Sequence, residues 1–115
     1  MGAARLNWTI EQGTDFSRQL TFKDKNDAIA PQTGATWSGK IRSSFTSSTV
    51  LASFSFDTTQ ADTGIIVVSL ANTTTSGLPS TVGTDKLVYD IEKTLSSKVS
   101  RVLEGKIKVK PEVTK

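Results

Sequence analysis

Residues 86–113, KLVYDIEKTLSSKVSRVLEGKIKVKPEV, decide the fold class. Before the central turn Leu87, Tyr89 and Ile91 alternate with Val88, Asp90 and Glu92. After it Leu103, Ile107 and Val109 alternate with Glu104, Lys106 and Lys108, with Gly105 as the one gap. A period of two in both arms is the mark of a β-hairpin with one apolar and one charged face. Such a hairpin packs one side on a core and shows the other to water, so the upstream residues must supply a second layer.

They read as partner strands. Leu6, Trp8 and Ile10 alternate with Asn7, Thr9 and Glu11 up to a Gln12-Gly13-Thr14 turn, and Phe16, Leu20 and Phe22 carry the next strand. Arg18 breaks the apolar face of that strand, which predicts a strand end or a snorkelling side chain. Residues 23–34, KDKNDAIAPQTG, form a polar loop, and Trp37, Gly39 and Ile41 a third strand in which Gly39 marks a bulge or an aromatic ring laid over the backbone. Val50, Ala52, Phe54 and Phe56 predict a fourth strand, and the apolar run IIVVSL from Ile65 to Leu70 a fully buried central one. In the hydroxyl-rich crossover from Ala71 to Asp85, Asn72 or Thr73 is placed to cap one helical turn that buries Leu78. About seven strands at roughly twelve-residue spacing, with almost no helical periodicity, predict an antiparallel sandwich.

The bulk composition narrows the function. At 115 residues and 12.3 kDa the chain suits a single domain, residues 1–115. It has no cysteine and no histidine, so disulfides, thiolate metal sites, the commonest general base and the commonest metal ligand are all absent. The net charge of +3 is concentrated in the last quarter of the chain. Lys106, Lys108 and Lys110 share one strand face, but a nucleic-acid surface also wants clustered arginines and exposed aromatics, so an ordinary solvated face accounts for them. No apolar run is long enough to span a bilayer, and the N-terminal stretch MGAARLNWTIEQG has neither a secretory h-region nor a myristoylation pattern.

No residue cluster composes a reaction centre. Asp24 and Asp27 lack the glycine and the terminal glutamate of a calcium loop, and Asp57 and Asp62 bracket a turn whose backbone N–H groups they can accept. Asp90 and Glu92 on one strand, with Glu104 and Arg101 on the next, resemble a paired-carboxylate site, yet cross-strand pairing of Asp or Glu with Arg or Lys explains them more simply. Trp8 and Trp37 alternate with apolar neighbours and are expected in the core rather than stacked on sugar. Asn72-Thr73-Thr74 fits a glycosylation sequon, which matters only for a secreted chain. No catalytic residue, metal or cofactor is expected.

Ile10-Glu11-Gln12-Gly13, Phe16, Lys40-Ile41-Arg42, Tyr89-Asp90-Ile91-Glu92, Arg101-Val102-Leu103-Glu104-Gly105 and Val113-Thr114-Lys115 are spread over nearly the whole chain. Their order and spacing resemble those of a family of small structural proteins of tailed bacteriophages. A looser resemblance is to the immunoglobulin-like N-terminal domains of phage baseplate proteins, although the receptor-binding extensions of those proteins have no counterpart here. The resemblance implies an all-β, antiparallel immunoglobulin-like β-sandwich and a non-enzymatic virion protein, made in the host cytoplasm. It would assemble in multiple copies on the tail, neck or baseplate with other virion proteins and copies of itself, without nucleic acid or membrane. Alternatives are a head decoration protein and a carbohydrate-binding module. Because outer strands must be protected or used, the expected interface is the late hairpin and tail: Arg101, Glu104 and Lys108 as polar contacts and Val113, Thr114 and Lys115 as a docking segment, with Trp8 and Leu103 supporting them from the core.

Overall fold

A computed structural model describes residues 4–81 and 86–111. Val113, Thr114 and Lys115 lie outside the described residues. The strands are β1 (Ala4–Arg5), β2 (Trp8–Glu11), β3 (Phe16–Thr21), β4 (Thr36–Arg42), β5 (Ala52–Ser53), β6 (Ser55–Asp57), β7 (Ile65–Leu70), β8 (Leu87–Leu95) and β9 (Lys98–Lys110), with one helical turn, α1 (Asn72–Thr75), after β7. They form two sheets: β1-β9-β8-β4-β5, with β2 following β1 on the same side of β9, and β3-β7-β6. With β1 and β2 together counted as strand A and β5 as C′, the small sheet β3-β7-β6 is B-E-D and β9-β8-β4-β5 of the large one is G-F-C-C′, the strand order of an immunoglobulin-like sandwich.

The hairpin forms as its periodicity predicts, closed by Ser96 and Ser97, both at positive φ, and it lies in the middle of the large sheet. β4 flanks β8, while β1 and β2 run parallel to β9 from Leu103 to Lys110. The free edge expected along the C-terminal strand is therefore occupied in that stretch, because the N-terminal strands take up its backbone groups.

Aromatic rings join the two sheets. Trp8 stacks on Tyr89 of β8 with centroids 4.4 Å apart, and meets Phe16 of β3 at 5.4 Å and Phe54 at 5.8 Å. Ile10, Ile41, Val68, Ile91, Ile107 and Val109 close around them, all buried. A second ring group, Phe22, Trp37 and Phe56, packs at the rim.

Three local expectations change. The strand expected through Val50–Phe56 is divided: the chain leaves the large sheet after Ser53 and joins the small one at Ser55. Phe54 turns the corner; its N–H donates to the Gly39 carbonyl at 2.9 Å, and its ring stands 2.9 Å from where a Gly39 Cβ would be. This is the ring-over-backbone contact predicted for Gly39. β7 is central but only alternately buried, since the outer face of its sheet meets solvent. The cap of α1 comes from neither Asn72 nor Thr73: the Asn72 N–H donates to the Asp15 carboxylate at 2.8 Å. Leu78 beyond it is buried as expected. Arg18 lies over the Phe16 ring, 4.5 Å from its centroid, which is the snorkelling arrangement.

Tyr89 yields a pH prediction. Its hydroxyl donates to the Leu6 carbonyl at 2.5 Å, and burial pushes its phenol well above the ordinary value of 10. A group whose pKa is higher in the folded than in the unfolded chain stabilises the fold below the unfolded value and loses that contribution as pH rises past it. Unfolding free energy should therefore be insensitive to this group below about pH 9 and fall above about pH 10. Tyr89→Phe should remove the alkaline fall and cost about 1 kcal/mol at neutral pH for the lost hydrogen bond. Since Tyr89 is the only tyrosine, phenolate absorbance in a pH titration reports on it alone, and deprotonation near pH 10 in the folded protein would refute the account.

Candidate functional site

Cross-strand register gathers the charged residues of the large sheet's outer face into a row. Lys40 on β4 lies opposite Asp90 on β8, Asp90 opposite Glu104 on β9, and Glu104 opposite Arg5 on β1. Two carboxylates on adjacent strands would repel. Arg101 lies between them, with Nε 3.2 Å from Asp90 and Nη1 3.7 Å from Glu104, while Arg5 approaches Glu104 at 3.8 Å.

A β-bulge puts Arg101 there. By strict alternation from Leu103, Arg101 would point into the core. Ile91 pairs with Leu103 but Glu92 pairs with Arg101, so Val102 is the extra residue. Val102 and Leu103 both pack against the core, and Arg101 is turned to the charged face. Asp90 pairs with Arg101 across the strands as expected, Glu104 meets it along β9 itself, and Glu92 lies opposite it in register. Lys108 lies farther along the same face, opposite Thr9 of β2 and away from the cluster. Arg5 and Lys40 join from distant strands; no local signal marks them, because adjacency across a sheet is a property of register.

The cluster borders an open depression of about 520 Å³ that also touches Arg42, Phe45 and Val88. Phe45 is 59% exposed at its margin. Among the described residues no group of three or more His, Cys, Asp or Glu side chains is placed to hold a metal ion. The acidic turns are occupied by their own backbone: Asp24 accepts N–H bonds from Asn26 at 2.8 Å and Ala28 at 3.1 Å, and Asp57 accepts one from Thr59 at 2.9 Å. The Thr59 bonds hold the Asp57 carboxyl below its usual range.

Arg101 has half its side chain in water, against 30% for Asp90 and 20% for Glu104, so screening limits the value of the cluster to folding. Arg101→Ala should cost no more than about 1 kcal/mol in low salt, and less in about 1 M salt, where the Debye length shrinks to roughly 3 Å. Thermal melts at the two ionic strengths measure this; a large, salt-independent loss would mean that Arg101 supports the core instead.

No family model and no curated protein matches the chain. Among solved structures it is similar to the BTLA ectodomain, with a TM-score of 0.46 and 14% sequence identity over 90% of this chain and 89% of that one.

Proposed function

We propose that the chain is a non-enzymatic structural component of a tailed-phage virion, present in multiple copies on the tail, neck or baseplate. The observation that carries this reading is the character of the candidate surface. It is an open sheet face on which Asp90 and Glu104 are both engaged by guanidinium groups. Such a face suits contact with another protein better than proton transfer, which needs a carboxylate free to change its charge. The ordered motifs from Ile10 to Lys115 support the same reading. Its partners are then other virion proteins and copies of itself, and it needs no cofactor.

The two tryptophans that a carbohydrate module would present are engaged internally. Trp8 is 5% exposed, and Trp37 packs with Phe22 and Phe56. The test is the mass of the purified protein by light scattering at several concentrations, alone and mixed with particles that lack it. A closed oligomer, or recovery on those particles, is the expected result, and tailless particles as bait separate attachment to the tail from head decoration. A strict monomer that ignores particles and is stabilised by soluble glycans overturns the reading.

A further inference from the structure

The two outer faces of the sandwich differ in charge. The large sheet's outer face carries Lys40, Asp90, Glu92, Arg101, Glu104 and the Lys106–Lys108–Lys110 stripe. That of the small sheet carries Ser17, Gln19 and Thr21 from β3, Ile65, Val67 and Ser69 from β7, and Ser55 and Asp57 from β6. Asp57, at the β6 end, is its one charge. The small sheet also ends in the longest single edge strand of the described structure. β3 pairs along all six residues with β7 and, among the described residues, has no strand on its other side. In an immunoglobulin-type four-stranded sheet this position belongs to the first strand, but here both N-terminal strands pair with β9 instead.

An open edge without lysine, proline or a bulge invites pairing. The guard on β3 is one side chain, Arg18, whose Nη1 donates to the Ser17 carbonyl at 2.8 Å. That bond also indicates how the edge faces. Phe22 donates its N–H toward the β7 side, to Gly64, at 2.8 Å. Backbone groups alternate sides along a strand, so the even positions of β3 turn to β7. Ser17, Gln19 and Thr21 then turn their N–H and C=O groups to the open side.

We infer that β3 is where two copies of this chain meet, pairing antiparallel across a two-fold axis to join two three-stranded sheets into one of six strands. The inference rests on the assembly reading above and names the contact between copies. A two-fold contact sets residues near the axis against their own copies, so a charged strand would repel itself, and β3 is nearly free of charge. The register follows from the same logic. To keep the apolar faces on one side, each residue must pair with one of the same parity. Centring on Arg18 would oppose two guanidinium groups. Centring on Gln19 pairs Gln19 with itself and Ser17 with Thr21, joins the backbone groups that face the open side, and sets Arg18 against Leu20 once it releases Ser17.

The test is a charge swap at the axis, with sedimentation equilibrium on the full chain. Gln19 is exposed, and circular dichroism checks that its variants fold. Gln19→Lys alone and Gln19→Glu alone should each weaken self-association by about tenfold or more, as like charges meet. An equimolar mixture of the two should recover it as a heterodimer. Ser48→Lys, which adds the same charge in an exposed loop between β4 and β5, should leave association unchanged. If wild type associates and neither Gln19 variant alters it, or the mixture fails to recover, the contact lies elsewhere and this inference falls while the assembly reading stands. If wild type stays monomeric at every concentration, the inference falls as well, and recovery on particles decides the virion reading separately.

Discussion

Gly105→Ala should destabilise the protein by about 3 kcal/mol or more, at or beyond the upper end of overpacking costs. β1 and β2 are one line of chain along the same side of β9, interrupted at Leu6 and Asn7, and at the interruption the Leu6 carbonyl reaches over Gly105. The Leu6 N–H donates to the Glu104 carbonyl at 3.0 Å, and Asn7 Oδ1 accepts the Lys106 N–H at 3.0 Å, so the ladder bonds continue on either side of Gly105. Its missing Cβ is occupied: a methyl group there would fall on the Leu6 carbonyl and within 3.1 Å of the Tyr89 ring. The obstacle is backbone, itself held by the Tyr89 hydroxyl, so no side-chain rotation relieves it. Against a typical total of 5–15 kcal/mol such a loss is large. Chemical denaturation measures it, and limited proteolysis should show new cleavage near Leu6 as β1 lifts away. A variant as stable as wild type would mean that the Leu6 carbonyl does not cover Gly105.

The second large effect is expected from Trp8→Ala, about 3–5 kcal/mol. Trp8 comes from a four-residue strand, yet its ring contacts Phe16 of the small sheet, Tyr89 of the large one and Phe54 at the corner between them. Removing it leaves a cavity that both sheets line and neither closes without shifting. The loss should not add to that of Tyr89→Phe, because Trp8 holds the ring whose hydroxyl fixes Leu6; a double-mutant cycle by denaturant melts should show coupling of about 0.5 kcal/mol or more. Simple additivity would mean that the stacked pair acts as two separate contacts.

Both predictions turn on features that are only partly legible in the chain. Gly105 stands out as the gap in an apolar alternation, but what fills the gap arrives from almost a hundred residues upstream. Trp8 is recognisable as a core residue from its alternation with Thr9, while its role as the link between layers depends on how the sheets face each other. The candidate surface follows the same pattern. Asp90 and Glu104 lie on the charged face by simple parity. Arg101 does not, because a single bulge residue, Val102, reverses the alternation, and nothing local distinguishes a bulged strand from a regular one. The division of Val50–Phe56 between two sheets is hidden for the same reason, since a strand that changes partners keeps its period of two.

Periodicity by itself determined the all-β class, the late hairpin, its apolar and charged faces, and most of the core, because side-chain alternation is a local consequence of extended backbone. Composition determined that no cysteine and no histidine are present. Tertiary structure alone decided that the N-terminal strands pair with β9, that Arg5, Lys40, Asp90 and Glu104 align in one row, and that among the described residues β3 has a strand on one side only. Register and strand order come from which backbone groups find partners across long sequence separations, and that competition is settled only when the whole sandwich closes.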